Sequence, residues 1–89
     1  MIVAFSPIAW DDFQLWLTTD QRRTAKLLEL INEIRRHPFT GIGKPESLKH
    51  ELQGFWSRRI NREHRIVYRV DGKGDSQRLL IAQLRYHYA

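Results

Sequence analysis

Glu46 and Lys49 stand three residues apart with His50 directly after them, His64 directly precedes Arg65, and the last residues read Tyr86-His87-Tyr88-Ala89. With Arg59, this collection supplies a carboxylate, several cations, imidazoles and an aromatic ring. Cleavage of RNA by attack of its own 2′-hydroxyl calls for these types. A base must take the hydroxyl proton, positive charge must stabilise the phosphorane, and an acid must protonate the leaving 5′-oxygen. A histidine with a pKa near 6.5 suits the acid, whereas a glutamate acting as base needs its pKa raised towards neutral. Taken singly, each of these residues also reads as ordinary polar surface. No HxH or HExxH spacing occurs, so metal catalysis is less attractive and no cofactor is expected.

Charge points the same way. The 89 residues hold 15 Lys and Arg against 10 Asp and Glu, a formal net charge of +5. Residues 1–43 balance, with five bases and five acids, while residues 44–69 hold seven bases against three acids. A basic segment this concentrated is the electrostatic footprint of phosphate binding, although a solvated face would carry the same charges. The chain has no cysteine, which excludes a disulfide framework and a thiolate metal site. Met1-Ile2-Val3-Ala4-Phe5 has no basic leader and no window reaches the length of a membrane span, so a cytoplasmic protein without membrane contact is expected.

The elements that must position these residues follow from periodicity. Ile2–Phe5 has strand character, and Ser6-Pro7 supplies an N-cap and a first-turn proline. From Pro7 to about Thr18, Ile8, Trp10, Phe13 and Trp16 or Leu17 recur at roughly helical spacing, with Asp11 and Asp12 near the start of the helix. Asp20 caps a second helix to Arg36, whose apolar face is expected to hold Ala25, Leu28 and Ile31 with Leu27 and Ile34. Residues 38–45 contain two glycines and two prolines and read as a loop, and Glu46–Leu52 as a short helical turn on which Glu46 and Lys49 would be neighbours. Phe55–Ile60, Arg65–Val70 and Leu79–Tyr86 read as three strands. The expectation is one α+β domain over residues 1–89, order β-α-α-β-β-β. Its two N-terminal helices pack on one face of a four-stranded, mainly antiparallel sheet and leave the other face free.

Side-chain alternation puts Ile66, Tyr68 and Val70 towards the helices and Arg65, Val67 and Arg69 on the other face. With Asn61-Arg62-Glu63 as a three-residue loop, Arg59 falls opposite Arg65. Two like charges directly opposed repel unless an anion lies between them, so this pair is either a phosphate clamp or two solvated cations.

Four stretches together resemble the YoeB/Txe toxins of the RelE/ParE superfamily: Gly43-Lys44-Pro45-Glu46-Ser47-Leu48-Lys49-His50, Gly54-Phe55-Trp56-Ser57-Arg58-Arg59-Ile60, Glu63-His64-Arg65-Ile66-Val67-Tyr68 and Arg85-Tyr86-His87-Tyr88. Trp10-Asp11-Asp12-Phe13 and Arg35-Arg36-His37-Pro38-Phe39 extend the resemblance along nearly the whole chain. It implies a RelE-like fold and the toxin of a type II toxin–antitoxin pair, a metal-independent endoribonuclease that cleaves mRNA in the A site of the 70S ribosome and so inhibits translation. By matching positions it implies Glu46 as general base, His87 as general acid and Arg65 as stabiliser of the phosphorane. Lys44, Lys49 and Arg59 would be phosphate-binding cations, with Tyr88 positioning or stacking on the nucleotide. It further implies a homodimer and a cognate antitoxin of the YefM/Axe type with an acidic C-terminal segment, with operator DNA bound only through the complex.

Three departures stand out. Ser47 replaces a usual second proline, the Asp71–Arg78 connection is long, and Ala89 follows the terminal tyrosine. Competing readings are a ribosome-independent RNase, a non-catalytic ParE-like gyrase poison, and a basic co-repressor module. The ParE-like reading is disfavoured because Glu46, Arg65 and His87 occur together.

Overall fold

The computed structural model describes residues 1–86. In chain order the elements are β1 (Ile2–Phe5), α1 (Pro7–Thr19), α2 (Gln21–Arg36), β2 (Glu46–Ser47), β3 (Trp56–Arg59), β4 (Arg65–Asp71) and β5 (Arg78–Gln83), with 3-10 turns at His50–Leu52 and Gly74–Ser76. The strands lie side by side in the order β1-β5-β4-β3-β2, β1 parallel to β5 and the remaining pairs antiparallel. The α+β class and the order of the two helices and the four expected strands are as predicted. The fifth strand is a correction: Glu46 and Ser47 pair with Ser57 and Trp56 instead of coiling into a helical turn. Pairing satisfies their backbone groups, and Lys49 is extended as well, so Glu46 and Lys49 are not helical neighbours.

Both helices begin as their sequences dictate. Ser6 Oγ accepts the Ala9 amide at 3.0 Å, and Asp20 Oδ1 accepts the Arg23 amide at 2.9 Å. Each such cap satisfies a backbone donor that the helix itself leaves open, an effect of about 1 kcal/mol. Ser6 Oγ also donates to the Ala82 carbonyl at 2.7 Å, tying the cap to β5.

The buried stripes are rotated from the expected ones. On α2 they are Thr24, Leu27, Leu30, Ile31 and Ile34, while Ala25 and Leu28 face outwards. On α1 they are Ala9, Asp12 and Trp16, while Ile8, Trp10 and Leu17 stay exposed. A helix on a sheet can hide only one stripe, so when apolar residues outnumber its positions, packing selects the phase. Small Ala9 is fully buried, and Trp10 turns aside to meet Phe5 edge-on, with ring centroids 5.6 Å apart. Leu27, Leu30, Ile34, Ile66, Tyr68, Leu79, Ile81 and Leu84 are fully enclosed in one cluster. Each of its large aliphatic side chains contributes roughly 1.5–3 kcal/mol of burial.

The long connection between α2 and β2 is held by one of the seven bases of residues 44–69. Arg58 is wholly buried. Its Nε donates to the Tyr68 hydroxyl at 3.1 Å, Nη1 to the Ile42 carbonyl at 3.1 Å, and Nη2 to the carbonyls of His37 and Thr40. Tyr68 Oη in turn donates to the Pro38 carbonyl at 2.7 Å. A buried guanidinium needs hydrogen-bond partners, and three loop carbonyls and the Tyr68 hydroxyl supply them here. The loop therefore delivers Glu46 to the sheet from a fixed point, and Arg59 N–H donates to the Gly43 carbonyl at 2.7 Å just before it.

Candidate RNA-cleaving face

Sheet register decides which candidate residues share a surface. Glu46 pairs with Ser57 and Ser57 with Val67, which forms one row across β2, β3 and β4. Arg59 pairs with Arg65 in a parallel row two residues further along, as the hairpin spacing predicted. Paired residues share a face, as do residues two apart on one strand, so Glu46, Arg59 and Arg65 all lie on the side away from the helices. At about 7 Å per two residues and 5 Å per strand, the Glu46 Cα lies about 9 Å from that of Arg59 and about 12 Å from that of Arg65.

This face is not open throughout, as the sequence reading had expected. Ser57, Val67 and Leu48 are buried on it, and Arg65 is only 8% exposed. Arg65 is recessed because its Nη1 turns into the β3–β4 hairpin, donating to the carbonyls of Asn61 at 2.8 Å, His64 at 3.1 Å and Arg62 at 3.3 Å. The three carbonyl dipoles support its charge and fix the guanidinium plane before any ligand arrives. They also ease the repulsion from Arg59, which points out to solvent. The hairpin loop is the expected Asn61-Arg62-Glu63, braced by Asn61 Oδ1, which accepts the amides of Glu63 at 2.9 Å and His64 at 2.8 Å.

Residues 46–52 line a cleft of about 580 Å³ beside this face, and Lys49 and His50 are exposed in it. Lys44, two residues before Glu46, is exposed as well. Lys44, His50 and Tyr86 are the non-glycine residues with positive φ among those described, at 54°, 58° and 60°. Left-handed backbone is costly for such residues and collects at functional sites. Two of them, Lys44 and His50, flank the segment that carries Glu46 and Lys49.

The fifth strand stops at Gln83, short of the expected Tyr86, yet Leu84–Tyr86 is anchored. Asp12 Oδ2 accepts the Leu84 amide at 3.0 Å and Trp16 Nε1 donates to the Leu84 carbonyl at 3.0 Å. His64 Nδ1 accepts the Tyr86 amide at 2.7 Å, and the Arg65 amide donates to the Tyr86 carbonyl at 3.1 Å. Burial, aided by the nearby Arg23, holds the His64 pKa below the ordinary 6.5. A neutral ring is what an accepting Nδ1 requires, which puts the proton on Nε2. His87 and Tyr88 lie outside the described residues, as does Ala89.

Arg58, Asp12 and Trp16 escaped the sequence reading as contributors to this face. Asp12 had a signal, since it falls in phase with Ala9 and Trp16 on the buried stripe, where an acid must have a partner. Arg58 had one too, because strand alternation puts it on the face opposite Arg59.

Two helices on a five-stranded mixed sheet, with a carboxylate and two guanidinium groups gathered on the other side, define a toxin of the RelE/ParE superfamily. A family model described as "YoeB-like toxin of bacterial type II toxin-antitoxin system" matches residues 5–88, and the chain belongs to that family. Toxin YoeB of Escherichia coli K12 is 56% identical over 88 residues, covering 99% of this chain and 100% of that one. A solved YoeB/ParE toxin from Agrobacterium tumefaciens superposes with a TM-score of 0.95 at 49% identity, covering 99% of this chain and 100% of that chain. The Staphylococcus aureus relative has been solved as a YoeB dimer, with a TM-score of 0.88 at 43% identity over 99% of this chain and 98% of that one. It has also been solved in a heterotetrameric YoeB-YefM complex, with a TM-score of 0.87 at 44% identity and the same coverage of both chains. The protein is the toxin of a type II toxin–antitoxin system. No helix among the described residues is long and apolar enough to cross a membrane.

Proposed function

We propose that this toxin is a ribosome-dependent endoribonuclease that cuts mRNA in the A site by metal-independent acid–base catalysis. The observation that carries the reading is the Arg59–Arg65 pair directly opposed across β3 and β4, with Glu46 in the adjoining row of the same face. In this mechanism Glu46 takes the proton from the 2′-hydroxyl, the oxygen attacks the adjacent phosphorus, and the 5′-oxygen leaves with a proton from His87. A 2′,3′-cyclic phosphate and a free 5′-hydroxyl result. Arg65, held by its Nη1 end, presents the Nε–Nη2 edge to the phosphorane, a bidentate geometry that lysine lacks. Lys44, Lys49 and Arg59 bind flanking phosphates, and Tyr88 stacks on a base.

The partners follow the same reading. The S. aureus relative's dimer and its YefM complex support a homodimer here and a YefM/Axe-type antitoxin whose acidic C-terminal segment meets the basic face. Operator DNA is then bound only through that complex, and the protein acts in the cytoplasm with the ribosome.

Cell-free translation of a defined mRNA tests the mechanism, using wild type, Glu46→Ala and His87→Gln, with 5′ ends mapped and a naked-RNA control. Codon-positioned cuts only in the translated sample, reduced about 10²–10⁴-fold in each variant, are expected. Equal cutting of naked RNA by wild type defeats the ribosome requirement, and normal cutting by His87→Gln defeats the acid assignment.

A further inference from the structure

Beyond the end of β5 a chain terminus ordinarily frays, because no ladder continues to hold it. Here both backbone polar groups of Leu84 and both of Tyr86 are bonded, two by side chains of α1 and two by the start of β4 and the residue before it. Asp12 and Trp16 are one helical turn apart, so they reach Leu84 from the same side. The Trp16 ring also meets the His64 ring edge-on at 4.9 Å, joining the two anchors into one unit. Tyr86 leaves this clamp with a φ of 60°, a backbone turn that an unrestrained tyrosine would avoid. The next residue in the chain is His87.

We propose that Asp12, Trp16 and His64 are positioning residues: by clamping the backbones of Leu84 and Tyr86 they fix the point and direction from which the chain runs on to His87. The proposal rests on His87 being the general acid. None of the three has to touch RNA. Their effect is on the fraction of molecules that present the acid correctly, where a displacement of about 1 Å can lower a rate 10²-fold. The His64 bond is the switchable member, since a protonated ring would turn Nδ1 into a donor facing the Tyr86 donor. The charges around it are Asp12 from α1, Arg23 from α2, Glu63 beside it in the hairpin and Arg85 from the clamped segment. Burial opposes protonation most, Arg23 and Arg85 add to it, and Glu63 and Asp12 favour it.

The test compares wild type with His64→Phe, which keeps an aromatic ring against Trp16 but removes the acceptor, and with His64→Asn, whose amide oxygen falls near the Nδ1 position. Trp16→Phe, which removes only the indole donor, serves should His64→Phe fail to fold. Two readouts are taken on the full chain: hydrogen exchange of the Leu84 and Tyr86 amides, and single-turnover mRNA cleavage on ribosomes across pH. His64→Phe should exchange Tyr86 at least about tenfold faster and cut about 10–100-fold more slowly, with half-saturation by ribosomes unchanged. His64→Asn should recover most of both and remove the part of the acidic fall in rate that belongs to His64. Unchanged exchange and cutting in His64→Phe, or equal losses in the Phe and Asn variants, overturn the proposal. The nuclease reading fails separately, when wild type and Glu46→Ala are equally inert, and the positioning role then falls with it.

Discussion

Arg58 Nε lies 3.1 Å from the Tyr68 hydroxyl beneath the sheet, one basic residue before Arg59 points to solvent from the same strand. Neighbouring arginines thus do opposite work: one organises the loop leading to Glu46, the other is exposed on the candidate face. Arg58→Met should remove the donors that four oxygen atoms share and lower stability by about 3 kcal/mol, read from the urea midpoint. Tyr68→Phe should lower it by about 1–2 kcal/mol, and the double variant by less than the sum, because the two share the network. Wild-type stability in Arg58→Met would show that the loop is held by something else.

Salt dependence separates the same two arginines. Arg58 is wholly buried, which leaves Lys44, Lys49, Arg59, Arg62, Arg69 and the recessed Arg65 of the basic segment to meet phosphates. If those six bind single-stranded RNA, the log–log slope of affinity against salt should not exceed roughly 4.2, at about 0.7 per contact. Lys49→Ala should flatten it by about one contact, and a folded Arg58 variant should leave it unchanged. A flat salt profile in wild type would count against electrostatic RNA binding.

Gly43 has a φ of 84°, and a Cβ there would stand 3.0 Å from Leu30 Cδ2 and 3.1 Å from Arg58 Cβ. Gly43→Ala therefore meets both backbone strain and a crowded wall. A loss of about 1–3 kcal/mol is expected, with cleavage falling more than stability alone accounts for, because Glu46 lies three residues on. Thermal melts and cleavage rates on the same preparation check this; an unaltered melt would mean the wall yields.

Stability should bend at both ends of the pH scale. The His64 pKa is lowered in the fold, so the unfolded chain takes up the proton first as pH falls. The contribution of His64 is full above about 6.5 and is lost as pH drops through the folded value, a fall that His64→Asn should flatten. Burial raises the Tyr68 pKa above the ordinary 10.0, against the opposing bond from Arg58. Its contribution is full below about 10 and fades as pH climbs through the folded value, and Tyr68→Phe should remove that alkaline limb. Urea titrations at several pH values would reveal parallel wild-type and variant curves if either assignment is mistaken.

Ser6 is both cap and tie, since its Oγ accepts from Ala9 and donates to Ala82. Ser6→Ala should cost about 1–2 kcal/mol, more than Asp20→Ala, whose carboxylate caps α2 without such a bond to the sheet. Equal losses in denaturant melts would show that the tie to β5 adds nothing.

The two helices and four of the five strands in order, the caps at Ser6 and Asp20, the Asn61–Glu63 turn and the Arg59–Arg65 pairing were all legible in the chain. They depend on local rules: which residue satisfies a helix end, which loop length closes a hairpin, and how side chains alternate. The family was legible too, because four motifs in order are specific. Tertiary structure alone decided the rest. Ile8 and Trp10 were left outside and Asp12 was taken in, because a two-helix layer hides one stripe per helix and distant strands set its phase. Residues 46 and 47 became a strand because β3 offered them an edge. Arg58 and His64 look like any other cation and imidazole in a basic stretch. They acquired their tasks only when residues from 10 to 22 positions away came within hydrogen-bonding distance.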